Sequence, residues 1–261
     1  MIFNDKMMFI HIGKTGGSSA SDYLIHNLNG PAWNCHVDAD QELAPLGVAD
    51  MQPRTDIIRH CTLTEARDYV AGFDGRKLED FRKIVTIIRH PYTLEYSHYH
   101  YMKLPVVRER EKHNQALLER TSGDFLNFVS RAGYHRKQTP QEGYFLVDGV
   151  LPANVELVRH EDLAAAFARA VAPFLKVNAA FAFPHVNGTG YTTSVHDELT
   201  DEIEDLIYHK HRYMFDSGLY ARRKHRESAD SRAAVRAKGK PEQFDSVIPS
   251  EVEILSVNAI D

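Results

Sequence analysis

The chain has 261 residues, 43% of them apolar and 26% charged, with a formal net charge of −5. At roughly 150 residues per domain this allows one large domain or two small ones, long enough to bury a core without staples. It carries no run of about 18 apolar residues for a membrane span and no basic body to track a nucleic-acid backbone. Cys35 and Cys61 alone make no disulfide framework and fit a reducing compartment. Met1–Ile12 lacks the basic flank of a leader and runs straight into Gly13, so the reading is a cytoplasmic protein.

In chain order, the apolar residues 7–12 predict a buried strand that stops at glycine. Gly13-Lys14-Thr15-Gly16-Gly17-Ser18-Ser19 follows, and Ala20 to Leu28 has helical apolar spacing, so the segment opens like a βαβ unit. Residues 30–54 read as a loop. Asp56–His60 reads as a second strand, and Thr62–Glu65 has capping-box spacing for a helix ending near Gly72. Lys83–Arg89 is the clearest strand, and Pro91 suits the first turn of a helix reaching Leu104. Residues 105–143 read as helical pieces with Phe125, Phe128 and Val129 on one stripe. Val155–Val158 is a further strand, Asp162–Leu175 an alanine-rich helix, and Asp197–Phe215 a final amphipathic helix. Strands alternating with helices predict an α/β fold with a mainly parallel sheet, residues 1–221 forming one domain and 222–261 a charged tail. Residues 222–240 hold eight Lys/Arg against Glu227 and Asp230, whereas 241–261 hold five acids and no base. Such blocks pair within a chain or between copies, which leaves a homo-oligomer open.

The glycine-rich turn carries the chemistry. Glycines let backbone N–H groups approach an anion, a helix N-terminus adds a favourable dipole, Lys14 brings positive charge, and Thr15, Ser18 and Ser19 bring hydroxyls. A plain strand-to-helix turn with a solvated lysine is the competing reading. Counting back for a Walker loop, the first glycine would fall at Met8, and the strand ending at Arg89 offers no aspartate for magnesium. A second anion site is suggested by Arg89 at a strand end with Ser97 two turns into the next helix: a planar fork plus a hydroxyl. Tyr92, Tyr96 and Tyr99 at helical spacing read as core.

Together the two patterns resemble the sulfotransferases that use 3′-phosphoadenosine 5′-phosphosulfate (PAPS), especially the bacterial and heparan 2-O-type carbohydrate branch. Residues 9–19 resemble that family's 5′-phosphosulfate loop, usually His-Ile-Pro-Lys-Thr-Gly-Gly-Thr-Ser, and Ile88 through Tyr99 resembles its 3′-phosphate motif. The likeness continues in residues 59–65, 159–163 and 184–187. It departs at Gly13, usually proline, and at Leu94, often arginine. The resemblance implies a P-loop-like, three-layer fold with a central sheet flanked by helices, and PAPS as sulfuryl donor to a hydroxyl-bearing acceptor, expected to be a carbohydrate. Cofactor contacts then fall on Lys14, Thr15, Gly16, Gly17, Ser18, Ser19, Arg89 and Ser97.

Sulfuryl transfer needs charge on the leaving phosphate stabilised, the acceptor proton removed and the reactants in line. Lys14 is assigned to the leaving oxygen, and no metal is required. His60, directly before a capped helix at the sheet edge, is the preferred base, supported by the histidine that 2-O-type members place there. Glu65 is the rival, and His98 and His100 sit too far round the next helix. No Cys-x-x-Cys or His-Glu-x-x-His spacing exists, so no metal site is assigned. A small-molecule kinase with a degenerate P-loop and a non-catalytic nucleotide- or glycan-binding module are the alternatives. Residues 103–145 are placed over the acceptor side, and their Arg108, Arg110, Lys112, Arg131, Arg136 and Lys137 read as a solvated helix face ahead of a contact for an acidic sugar.

Overall fold

The computed structural model describes residues 1–35, 51–54, 56, 59–131, 139–184 and 194–223. Ile57 and Ile58 of the expected second strand, Arg136, Lys137, residues 185–187 and the tail from 224 onward lie outside them.

Six strands make one sheet: β1 (Ile2–Phe3), β2 (Met7–Ile10), β3 (Ala32–Asn34), β4 (Met51–Pro53), β5 (Lys83–Ile88) and β6 (Val155–Arg159), in the order β4-β3-β1-β2-β5-β6. The sheet is mixed, with three of its five strand pairings parallel. β2, β5 and β6 run parallel, as do β3 and β4, while β1 is antiparallel to both β2 and β3. The reason is local. The Asn4 side-chain oxygen accepts from the N–H groups of Lys6 (2.9 Å) and Met7 (2.8 Å). That turns the chain back at once, and so short a connection joins only antiparallel strands.

One expectation in this region fails. Residues 30–54 supply β3 and β4 at the far edge. Around the proposed second strand, Asp56 is a bend, Arg59 and His60 form a turn, and β2 pairs directly with β5. There the Arg54 guanidinium pairs with the Asp56 carboxylate, and the N-terminal ammonium donates to the Arg59 carbonyl (3.1 Å).

Helices cover both faces. Met7, Phe9, Val85 and Ile87 pack on α1 (Gly17–Asn27) and α8 (Leu163–Val171) through Leu24, Phe167 and Val171. On the opposite face Phe3, Met8, Ile10 and Ile84 meet Leu63, Ala66 and Val70 of α2 (Leu63–Asp74), which starts in the expected Thr62–Glu65 capping box. β5 is buried from Ile84 to Ile88, as a central strand covered on both faces must be.

A third core joins α3 (Pro91–Met102), α6 (Phe125–Ser130), α10 (Asp201–Lys210) and α11 (Arg212–Asp216) through Tyr96, Phe125, Phe128, Ile203, Ile207 and Met214. Between α3 and α8 the chain also forms α4 (Pro105–Arg110), α5 (Gln115–Thr121) and α7 (Glu142–Phe145), the expected helical pieces. The final helix is broken, with α9 (Val195–Glu198) preceding α10. Thr200 caps α10, and His211 leaves helical geometry (φ −121°, ψ 36°) with its ring on Glu95. Among the described residues no helix is long and apolar enough to cross a membrane.

Arg222 and Arg223, assigned to the tail, pack on the body. Arg222 pairs with Glu204 and Asp205, and the Arg223 guanidinium donates to the Leu199 carbonyl (2.7 Å).

Candidate functional site

The parallel trio β2, β5 and β6 ends on one side of the sheet, and the glycine-rich loop, Arg89 and His160 stand at those ends. Ligands of open α/β sheets bind outside the carboxyl ends of parallel strands. Thr86, buried in β5, donates its hydroxyl to the Ile10 carbonyl (2.9 Å) and holds the point where β2 gives way to the loop.

The left-handed conformations of the loop fall on Lys14 (φ +66°) and Gly16 (φ +89°), not on Gly13. Left-handed residues alternating with right-handed ones turn successive N–H groups to one side and make an anion-binding concavity. A lysine held in this region costs about 1 kcal/mol, strain of a kind that gathers at functional sites. The loop delivers the chain to α1, whose N-terminus has no side-chain cap and no acid in its first turn among the described residues. Its amide ends are therefore suited to an external anion.

Close packing explains the two following glycines. A Cβ on Gly17 would lie 1.9 Å from the His11 ring, and one on Gly16 would lie 2.4 Å from Leu163 and 3.0 Å from His160. Thr15, one of the expected cofactor contacts, is fully buried, and its hydroxyl donates to the Ile12 carbonyl at 2.9 Å. Ser19 is buried, and the Ser18 hydroxyl accepts from Arg59 at 3.4 Å.

Arg89 and Lys14, 75 positions apart, come together: Arg89 Nη1 donates to the Lys14 carbonyl at 3.0 Å. Arg89 Nε donates to the Thr93 hydroxyl (3.2 Å), and the Gln141 amide grips both the N–H and the C=O of Arg89 at 2.8 Å. The Lys14 ammonium rests 3.9 Å above the Tyr101 ring. Burial, then the neighbouring Arg89 charge, lowers its pKa to about 8. Arg110, one of the basic residues assigned to the acceptor side, donates to the Tyr101 hydroxyl (3.3 Å). Ser97 is buried in α3, two turns on from Arg89.

His60 is 8% exposed, and its Nδ1 lies 3.0 Å from the His11 carbonyl, with the two rings edge to face at 4.5 Å. A carbonyl only accepts, so Nδ1 carries the hydrogen and the neutral ring keeps its lone pair on Nε2. The Glu65 carboxylate is engaged in the capping box, accepting from the Thr62 N–H (2.6 Å) and hydroxyl (3.0 Å).

Beside Gly13 a cavity of about 20 Å³, room for a water-sized group, is lined by Leu94, Glu95, His98, Gln141, Tyr144 and His211 among others. Glu95 is buried and accepts from His211 Nε2 (2.7 Å) and Lys210 Nζ (2.9 Å), with Arg120 Nη2 at 3.7 Å. Burial pushes its carboxyl up, but the Lys210 charge and the His211 bond win and hold it well below the usual carboxylate range. Burial drives His98 down to about 3, against the pull of Glu95, so it is neutral near pH 7. Tyr101, Gln141, His11, His160 and Glu95 went unrecognised as site residues. Of these only His11 and His160 left a signal, since they lie inside the stretches 9–19 and 159–163 that carry the resemblance, where neither was given a role.

Among the described residues no group of three or more His, Cys, Asp or Glu is placed to hold a metal ion. No family model and no curated protein matches the sequence.

Proposed function

We propose that the chain is a sulfotransferase that moves the sulfuryl group of PAPS to a hydroxyl of a carbohydrate or similar polar acceptor. The loop amides and the N-terminus of α1 hold the 5′-phosphate, Arg89 and Ser97 take the 3′-phosphate, and Lys14 meets the oxygen that leaves sulfur. His60 Nε2 accepts the acceptor's proton as the new O–S bond forms and the bridging S–O bond breaks, releasing adenosine 3′,5′-bisphosphate. A P-loop-like fold and a cytoplasmic setting belong to the same reading.

One observation supports it above the rest: the Arg89 guanidinium bonded to the Lys14 carbonyl joins two anion-binding patterns that the sequence keeps far apart. Calorimetry tests it. Adenosine 3′,5′-bisphosphate should bind in about the micromolar range without magnesium, and better than ATP. Labelled PAPS offered with defined glycans should then yield a sulfated product. Tight binding of magnesium-ATP with none of the bisphosphate overturns the reading in favour of a kinase, and binding without transfer leaves a non-catalytic module.

A further inference from the structure

His160 stands in the turn of 3₁₀ helix, His160–Asp162, that follows β6. Its Nδ1 lies 2.9 Å from the Thr15 carbonyl, so Nδ1 is the donor, and its ring faces Gly16. The neighbouring Glu161 fixes the base of this contact. One carboxylate oxygen accepts from the His90 N–H at the start of α3 (3.0 Å), the other from the Tyr220 hydroxyl (2.9 Å).

A peptide unit is planar and trans, so its C=O and the next N–H point in opposite directions. Drawing the Thr15 carbonyl towards His160 therefore turns the Gly16 N–H the other way. Arg89 does the same one peptide earlier, holding the Lys14 carbonyl and turning the Thr15 N–H. Without such anchors a turn with two left-handed residues has other peptide orientations open to it, and an amide that must first be ordered binds its anion more weakly.

We propose that His160 is a positioning residue of the anion loop, aiming the Gly16 amide at the bound anion by holding the Thr15 carbonyl. The inference rests on the proposed role of that loop in binding a phosphate group, and the test separates the two.

Asparagine presents its Nδ2 at the same bond distance from the backbone as His160 Nδ1, whereas phenylalanine keeps a ring and has no donor. The Gly16 amide resonance is followed by NMR in the full chain while inorganic phosphate is added, and adenosine 3′,5′-bisphosphate affinity is measured by calorimetry. His160→Phe should weaken both ligands about tenfold and His160→Asn should stay within about threefold of the parent. Melting temperatures identify any variant that has lost its fold. Phosphate moving the Gly16 resonance with no bisphosphate binding overturns the nucleotide reading and leaves this inference standing. A Gly16 amide indifferent to phosphate in the parent, or His160→Phe binding as the parent does, overturns the inference. So does a folded His160→Asn as weak as His160→Phe, because the ring would then act by packing alone.

Discussion

The His60 imidazole donates through Nδ1 to the His11 carbonyl at 3.0 Å, a backbone contact that chooses the tautomer of the ring. The nitrogen with the lone pair is therefore Nε2, the one a general base must present. His60→Asn keeps a donor for the His11 carbonyl and removes Nε2. Its melting temperature should stay near the parent's while kcat falls about 10²-fold or more. Glu65→Ala should do the reverse, losing about 1 kcal/mol of stability with the capping box and little turnover. Single-turnover rates and thermal melts on the two variants check this, and an exchange of the two outcomes would pass the base role to Glu65.

Gly17 has no room for a methyl group, since its Cβ would enter the His11 ring. Gly17→Ala must displace that ring, and His60 leans on it edge to face. Nucleotide affinity and turnover should fall together, each about tenfold or more. Gly72 in α2 has nothing within 4 Å of such a Cβ, so Gly72→Ala should gain about 0.5–1 kcal/mol and leave turnover alone.

Thr15 should tolerate serine and reject valine. Thr15→Val leaves the buried Ile12 carbonyl without its 2.9 Å donor and should cost about 1–3 kcal/mol, whereas Thr15→Ser keeps the hydroxyl. Urea unfolding of both variants measures the difference. Equal stability of the two would show that the bond contributes nothing to the loop.

Lys14 should set a pH limit on the proposed anion binding. Burial, then Arg89, lowers its pKa to about 8 in the free chain. A bound anion favours the charged amine, so above pH 8 binding must take up a proton. Affinity for adenosine 3′,5′-bisphosphate should be flat from about pH 7, above the second ionisation of its phosphates, to pH 8 and fall above it, approaching about tenfold per pH unit. Lys14→Met should bind weakly without that slope. The same slope in Lys14→Met would assign it to another group.

Acid should weaken the fold in two stages. Unfolded His98 takes a proton near its ordinary 6.5, while burial holds the folded ring down to about 3, so stability drops as pH falls from 6.5. The slope for one such group is about 1.4 kcal/mol per pH unit. Glu95 adds a second loss below its ordinary 4.5, because the folded carboxyl stays ionised beside Lys210 and His211 while the unfolded one protonates. Urea midpoints against pH should show both stages in the parent, with the first absent in His98→Gln. Glu95→Gln should be destabilised by about 3–5 kcal/mol near pH 7, because Arg120 and Lys210 lose the buried charge they face.

Local signals were legible wherever one short stretch specifies its own conformation. The apolar run of β5, the Thr62–Glu65 box and the strand–glycine–helix opening all appear where the sequence places them, because hydrogen-bond caps, chain handedness and apolar runs act over a few residues. β1 and β3 were illegible for the same reason. Two or three residues carry no period, and their pairing is decided by the Asn4 turn and by which strand edges the rest of the sheet leaves exposed. α3 is buried all round, Glu95 and His98 included, so its pattern could not announce which side chains face the loop.

The site divides along the same line. Lys14 and the glycines are visible in the sequence because the left-handed turn they make is built from consecutive residues. Which side chains hold that turn in place is a tertiary matter. His60, Arg89 and His160 reach the carbonyls of His11, Lys14 and Thr15 across 49, 75 and 145 positions, and Glu95 meets Lys210 and His211 across more than a hundred. The bonds of Arg89 and His160 depend on the sheet bringing three strand ends together, those of His60 and Glu95 on how a turn and two helices pack, and nothing in the spacing of the partners along the chain records them.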